Sequence, residues 1–118
     1  MKYLLLVHHD EEAFGKISET KRKEILAESV QLTHQLHANK QYVHASPLHP
    51  AATAVIVRMR ESQSFVTDGP FAETKEQLGG YLLIDVRDLN DAVRIALKFP
   101  AAQYGSIEVR PIKEGGCA

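Results

Sequence analysis

Asp68, His8 and His44 are the side chains whose positions best suit acid–base chemistry in this sequence. Histidine titrates near neutral pH and can take or give a proton there, and a positioned carboxylate can act as a base. His8 ends a short apolar strand, and His44 and His49 flank the break at Ser46-Pro47. All three histidines would therefore border a cleft at strand ends. The alternative for each is an ordinary hydrogen bond at the end of a strand.

A second candidate set lies in residues 68–81, DGPFAETKEQLGGY, which we call the signature segment. Asp68 or Glu73 would serve as a general base, and Lys75 would hold an anionic group of a substrate. Tyr81 closes the segment as a further ligand-binding candidate. Arg58, on a nearby predicted strand, would fix a carboxylate. A cleft between the sheet and this segment would bring these groups together.

The same segment has a purely structural interpretation. Asp68 can accept hydrogen bonds from backbone amides further on, and Gly69 can take positive φ, so that a turn results. Phe71 would then be buried as an anchor. Glu73 and Lys75 would form an ion pair, either on the surface or between subunits. Both interpretations stay open at the level of sequence.

The sequence gives little support for a metal site or for a nucleophilic cysteine. His34 and His37 are three residues apart on a predicted helix, a spacing that suits joint ligation, but no third ligand accompanies them. The single cysteine, Cys117, lies beside Gly115-Gly116 near the end of the chain. It has no partner for a disulfide or a paired-cysteine zinc site. We expect neither a metal nor an organic cofactor.

Composition predicts one soluble globular domain over residues 1–118. The chain is 44% hydrophobic and 25% charged, close to the average of such domains. Its formal net charge of −1 gives no electrostatic basis for binding nucleic acid or an anionic membrane. The apolar run at residues 3–7 is too short for a signal or membrane-spanning segment. The cytoplasm is the expected compartment.

These candidates must be positioned by strands and helices that the pattern of apolar residues predicts. We expect strands over residues 3–8, 42–45, 53–60, 64–67, 80–86 and 106–112. One helix runs from the N-cap Ser18 to Asn39, which supplies a left-handed C-terminal position. A second helix follows the cap Asp88 and stops at Pro100. Its predicted buried stripe consists of Leu89, Ala92, Val93, Ala96 and Leu97.

This order of elements predicts an α+β fold: a ferredoxin-like βαββαβ sandwich with an inserted β-hairpin. Both helices would cover one face of an antiparallel sheet. The strands at residues 3–7 and 81–86 are apolar on both faces, so the second face needs a cover as well. A symmetric homodimer that stacks sheet on sheet is the simplest cover.

The quoted residues resemble a known family. The signature segment resembles that of DGPF-domain proteins, a branch of the YCII-related group. Further resemblance lies in the opening MKYLLL, in AATA at residues 51–54 and in YGSIEVRPI at residues 104–112. The resemblance implies a dimeric α/β barrel of ferredoxin-like subunits. Genes of this family often lie beside those of extracytoplasmic-function sigma factors, which implies a regulatory connection.

The wider YCII group also implies a catalytic histidine–aspartate pair, with the histidine on the first long helix. In this sequence that position falls near Ser29, and no histidine is there. Two hypotheses therefore remain. The first is a noncatalytic dimer that binds a small ligand or has a regulatory role. The second is a cofactor-independent isomerase or lyase that acts on a small polar or aromatic metabolite.

Overall fold

A computed structural model describes residues 1–114, so Cys117 lies outside the described residues. The elements in chain order are β1 (Lys2–His9), α1 (Glu11–Gly15), α2 (Glu19–Ala38), β2 (Tyr42–Pro47), a 3-10 turn (Ala51–Thr53), β3 (Val55–Arg60), β4 (Gln63–Asp68), β5 (Gln77–Asp85), α3 (Leu89–Lys98), α4 (Ala101–Tyr104) and β6 (Gly105–Pro111). Every predicted strand and both predicted helices are present. The short helices α1 and α4 were not predicted. The predicted α+β class is confirmed.

Four strands form an antiparallel sheet in the order β2-β5-β1-β6, and β3 and β4 form a separate two-stranded sheet. The apolar run of β1 occupies the centre, where Leu5 is paired with Leu82 of β5 and Val109 of β6. This is the place that a strand apolar on both faces requires. Strand β5 begins at Gln77, three residues earlier than predicted, because Gln77 pairs with His9 of β1.

The core lies between the helices and one face of the larger sheet. From β1, Tyr3 and Leu5 are only 4% and 1% exposed, and Ile84 of β5 is fully buried. Leu82, Val86, Leu36 of α2 and three residues of α3 complete this cluster. The alternation of residues along β1 then places Leu4 and Leu6 on the opposite face of the sheet.

The predicted stripe of α3 was partly wrong. Ala92 and Ala96 are buried as expected, together with Ile95, which the stripe omitted. Leu89, Val93 and Leu97 are 50%, 40% and 72% exposed. The face of α3 turned towards the core therefore consists of Ala92, Ile95 and Ala96 rather than of the predicted stripe.

Two of the predicted caps are present, and one prediction was wrong. The side chains of Ser18 and Asp88 accept hydrogen bonds from backbone amides three residues on, at 3.2 and 2.9 Å. Each satisfies an amide that the first helical turn leaves without a partner. Asn39 has φ −88° rather than a left-handed conformation. The left-handed position falls one residue later, at Lys40, with φ 59°.

The hairpin of β3 and β4, which we call the arm, extends away from the rest of the molecule. Its two-residue turn, Glu61-Ser62, has positive φ at both residues, 51° and 65°, as in type I′ hairpins. The apolar face of β3 is not buried as the half-exposed pattern suggested: Val55, Val57 and Met59 are 52%, 68% and 60% exposed. The radius of gyration, 16.3 Å, accordingly exceeds the about 13.5 Å of a compact chain of this length.

The larger sheet therefore has a covered face and an open face. Leu4, Leu6 and Leu83 lie on the open face and are half-buried. Among the described residues, no helix combines the length and the apolar content that crossing a membrane would require.

Candidate functional site

A cavity of about 640 Å³ lies between α2 and the covered face of the sheet, and we call it the main cavity. Its floor is apolar and includes Leu5, Leu82 and Ile107. Helix α2 is anchored near its C-terminal end, where Leu36 is buried, whereas Leu26, nearer its start, is 64% exposed. The N-terminal half of the helix thus stands off the sheet, and the cavity fills that space.

Helix α2 forms one wall of the main cavity and contributes Ile25, Leu26, Ser29 and Thr33. The two hydroxyl groups are engaged within the helix. Ser29 Oγ donates to the carbonyl of Ile25, and Thr33 Oγ1 donates to that of Ser29, both at 2.9 Å. A ligand therefore meets a wall that behaves as largely apolar. Ser29, where the family resemblance places a histidine, does face this cavity.

His9 brings an imidazole into the main cavity from the end of β1. Its ring lies over Gly79, in the space that a Cβ at that position would fill. The ring of Phe14 in α1 flanks it, with a centroid distance of 5.1 Å. Within residues 1–114 the side chain of His9 has no hydrogen-bond partner. Its two ring nitrogens are therefore available to a ligand.

Sequence reasoning missed His9 and chose its neighbour. Adjacent strand residues face opposite sides of a sheet, so only one of His8 and His9 can face the cavity. A bulge in the pairing between Val7 and His8 lies just before this point. The useful signal was Gly79, because a glycine in a strand often marks the close approach of another group.

Arg22 and Tyr104 line one end of the main cavity, and the guanidinium of Arg22 makes this end cationic. The guanidinium of Arg22 donates from Nε and Nη2 to the carbonyl of Ile17, at 3.3 and 3.1 Å, and from Nη2 to that of Gly15, at 3.1 Å. The Lys21 ammonium lies 5.9 Å from the centre of the Tyr104 ring. The nearby Tyr104 side chain raises the pKa of Lys21 above its ordinary value. Lys21 is therefore charged at neutral pH.

The acidic and basic residues of the signature segment lie elsewhere. Glu73 and Lys75 border a second cavity of about 530 Å³, between this segment and α1. Asp68 is exposed at the end of β4, in the arm. In the part of the chain that the structure describes, Asp68 accepts no hydrogen bond from the amides that follow it, and Gly69 N donates instead to Ala54 O at 2.7 Å. Gly69 does take the expected positive φ, 102°.

The signature segment is tied to its surroundings by side chains that were not predicted as functional. The amide oxygen of Gln77 accepts from Glu11 N at 3.0 Å. Glu11 in turn accepts from Ala51 N at 2.9 Å. Ser106 donates to Glu76 at 2.9 Å. These contacts join the segment to α1, the 3-10 turn and β6, so much of its chemistry is structural.

Two predicted histidines lie on the open face of the sheet, each beside a polar partner. His44 Nδ1 is 2.8 Å from the hydroxyl of Tyr81, and the two rings stack with centroids 5.6 Å apart. His8 Nε2 is 3.3 Å from Glu108. The hydrogen bond from Arg110 to Glu108 holds the pKa of that carboxyl below its ordinary value, and His8 contributes less. The structure thus unites His44 with Tyr81 but not with Asp68.

The remaining predicted residues are at the periphery. His49 is exposed in the loop after β2. Arg58 lies in the arm, with its guanidinium carbon 5.7 Å from the centre of the Phe71 ring. Phe71 is 78% exposed, so its predicted burial as an anchor was wrong. His34 and His37 are exposed, and His37 stacks on Tyr42. Among residues 1–114, no three potential metal ligands are grouped together.

Fold and site together define a small α+β protein with an antiparallel sheet, a projecting arm and an apolar cavity between its long helix and the sheet. Comparison with known proteins agrees. The family model of the YCII-related domain matches residues 1–115. An uncharacterised protein of Rhizobium meliloti (strain 1021) is 33% identical over 120 residues, which cover 95% of this chain and 92% of that protein. The chain belongs to the YCII-related family.

Proposed function

We propose that this protein is a homodimer that binds a small molecule in the main cavity without metal or organic cofactor. The observation that carries the proposal is the cavity itself. Its volume of about 640 Å³ lies within the range of small-molecule sites, about 300–1,000 Å³. Such sites combine an apolar lining with a few polar groups that orient the ligand. His9 and Arg22 are the polar groups suited to that role.

The ligand proposal is tested with the fluorescent apolar probe N-phenyl-1-naphthylamine. Leu26→Trp puts a larger side chain into the main cavity from an exposed helix position and should abolish enhancement of probe fluorescence. Val30→Trp is the matched control, because Val30 is on the same helix, is 46% exposed and does not line the cavity. Equal binding by the two variants would contradict the proposal.

The dimer is supported by two unburied apolar surfaces. The open face presents Leu4, Leu6 and Leu83, and the arm presents Val57 and Val66, which are 68% and 69% exposed. A two-stranded hairpin alone is marginally stable in water, so the arm needs something to pack against. A second copy of this chain supplies a cover for both surfaces. The DGPF-type α/β barrel is the arrangement that the resemblance implies for it.

Sedimentation equilibrium tests the dimer directly. Leu6→Glu puts a charge in the centre of the open face and should give a folded monomer. Leu97→Glu, at a helix position that is already 72% exposed, is the control and should leave the mass of the dimer unchanged. A wild-type protein that sediments as a monomer at micromolar concentration would exclude the proposal.

The proposal places the dimer in the cytoplasm, with no nucleic acid or membrane as partner, in keeping with a net charge of −1. A regulatory role connected with sigma-factor signalling rests on the family resemblance. In that role, ligand binding in the main cavity would be the input. Measuring ligand-dependent association with a sigma factor encoded beside the gene tests this connection.

A cofactor-independent acid–base enzyme is the second candidate, and His9 is the observation that favours it. An imidazole with unengaged nitrogens inside an apolar cavity is suited to proton transfer. Asp68, His8 and His44, proposed from sequence, have less support, since none of them lines this cavity. A panel of small lactones and halogenated phenols tests for turnover. His9→Gln should abolish any activity found, and His37→Gln should not.

A further inference from the structure

We propose that the natural ligand of the main cavity is an amphipathic anion, whose apolar body lies over the sheet and whose anionic group binds Arg22. This inference rests on the proposed function, because it names the ligand class of the same cavity. It adds a charge requirement that the shape of the cavity alone does not impose.

The apolar body follows from the lining. Leu5, Leu82 and Ile107 form the floor, and Ile25 and Leu26 face them from α2. The hydroxyl groups of Ser29 and Thr33 in α2 already donate to carbonyls of the same helix. Burial of a polar group against such a surface would leave it without a hydrogen-bond partner, which is unfavourable. The central part of the ligand must therefore be hydrocarbon or aromatic.

The anionic group follows from the state of Arg22. Its Nε and Nη2 atoms are held by the carbonyls of Ile17 and Gly15, which fix the plane of the guanidinium. Across residues 1–114, no carboxylate lies within 4.0 Å of it. The neighbouring lysines do have carboxylate partners: Lys21 pairs with Glu24 at 3.7 Å, and Lys23 pairs with Glu19 at 3.5 Å.

A guanidinium that is held in place but lacks an anion is pre-organised for a carboxylate, sulfonate or phosphate. A further feature strengthens the positive potential at this end. Arg22 lies in the first turn of α2, where the helix dipole favours anions. The guanidinium and the helix dipole together bias the site towards anions over neutral molecules of the same shape.

Two probes with the same apolar body separate charge from shape. 8-Anilinonaphthalene-1-sulfonate carries a sulfonate, and N-phenyl-1-naphthylamine is its neutral counterpart. We expect the dimer to bind the sulfonate about fivefold more tightly, the order of magnitude of a partly exposed charge-assisted contact. Arg22→Gln should remove this preference and leave binding of the neutral probe unchanged, because the glutamine amide nitrogen can take the place of Nε and still donate to the Ile17 carbonyl. Lys23→Gln removes an equal charge one residue along the helix and should preserve the preference.

Each result has one meaning. A sulfonate preference lost in Arg22→Gln and kept in Lys23→Gln supports the inference. Equal affinities for the two probes, or equal effects of the two variants, overturn the charge requirement. In either case, binding of the neutral probe leaves the proposed function intact. Absence of binding by both probes overturns both proposals. If Arg22→Gln does not fold, salt titration of the wild type decides: sodium chloride should weaken only the sulfonate, and a parallel response of both probes refutes the charge requirement.

Discussion

Gly79→Ala should destabilise the protein through its contact with His9. A Cβ built on Gly79 overlaps Cε1 and Nδ1 of the His9 ring and lies 3.2 Å from Nε2. Because the ring also packs beside Phe14, it can escape only by rotating into the main cavity. Overpacking of this kind costs about 1–3 kcal/mol. Loss of the flexible glycine from the unfolded chain returns about 0.4–1 kcal/mol. We expect a net loss of about 1–2 kcal/mol.

The assay is a double-mutant cycle in which urea unfolding measures the stability of each variant. All variants are compared at one fixed protein concentration, since the stability of the proposed dimer would depend on concentration. The variants are Gly79→Ala, His9→Ala and the pair. In the His9→Ala background the overpacking cost should vanish and only the gain of about 0.4–1 kcal/mol should remain, so the coupling energy should equal the overpacking cost of about 1–3 kcal/mol. Gly15→Ala is the control, because a Cβ there meets nothing within 4 Å. A Gly79→Ala cost that persists without His9 would refute the reasoning.

Three further changes test other parts of the structure. Ser18→Ala removes the side chain that accepts from Lys21 N, and should cost about 1 kcal/mol in urea unfolding. Ser62→Gly relieves a positive φ of 65° in the turn of the arm, and should raise the melting temperature by a few degrees; a fall would contradict the type I′ turn. Arg110 lowers the pKa of Glu108, so their contact stabilises the fold above the ordinary pKa of 4.5 and is lost as pH falls through the lowered value. The stability difference between wild type and Glu108→Gln should therefore be present at pH 7 and absent at strongly acidic pH.

The sheet and its helices could be predicted because their signals are local. The apolar run of β1 identifies a central strand, and Ser18 and Asp88 mark helix starts through hydrogen bonds to nearby amides. The orientation of α3 was harder to predict from the sequence, because Ile95 and Leu97 are both apolar. The rotation of the helix about its own axis decides which of them faces the core, and that rotation depends on the whole fold.

The site was harder to predict than the fold, for the same reason. The density of charge and turn residues in the signature segment predicts a site there, but Gln77 and Glu11 instead join this segment to α1 and the 3-10 turn. The main cavity arises because the first half of α2 stands off the sheet. No pattern within α2 encodes that separation. The choice between His8 and His9 likewise depends on sheet register, which neighbouring strands determine.

Binding in the main cavity is the central claim, and methyl chemical shifts test it most directly. In a carbon–proton correlation spectrum with assigned methyl groups, N-phenyl-1-naphthylamine should shift Leu5, Ile25 and Ile107, which line the cavity. The methyl groups of Leu4 and Leu83, on the open face, should stay in place. Shifts confined to the open face, or to the arm, would contradict the claim and place the ligand between subunits instead.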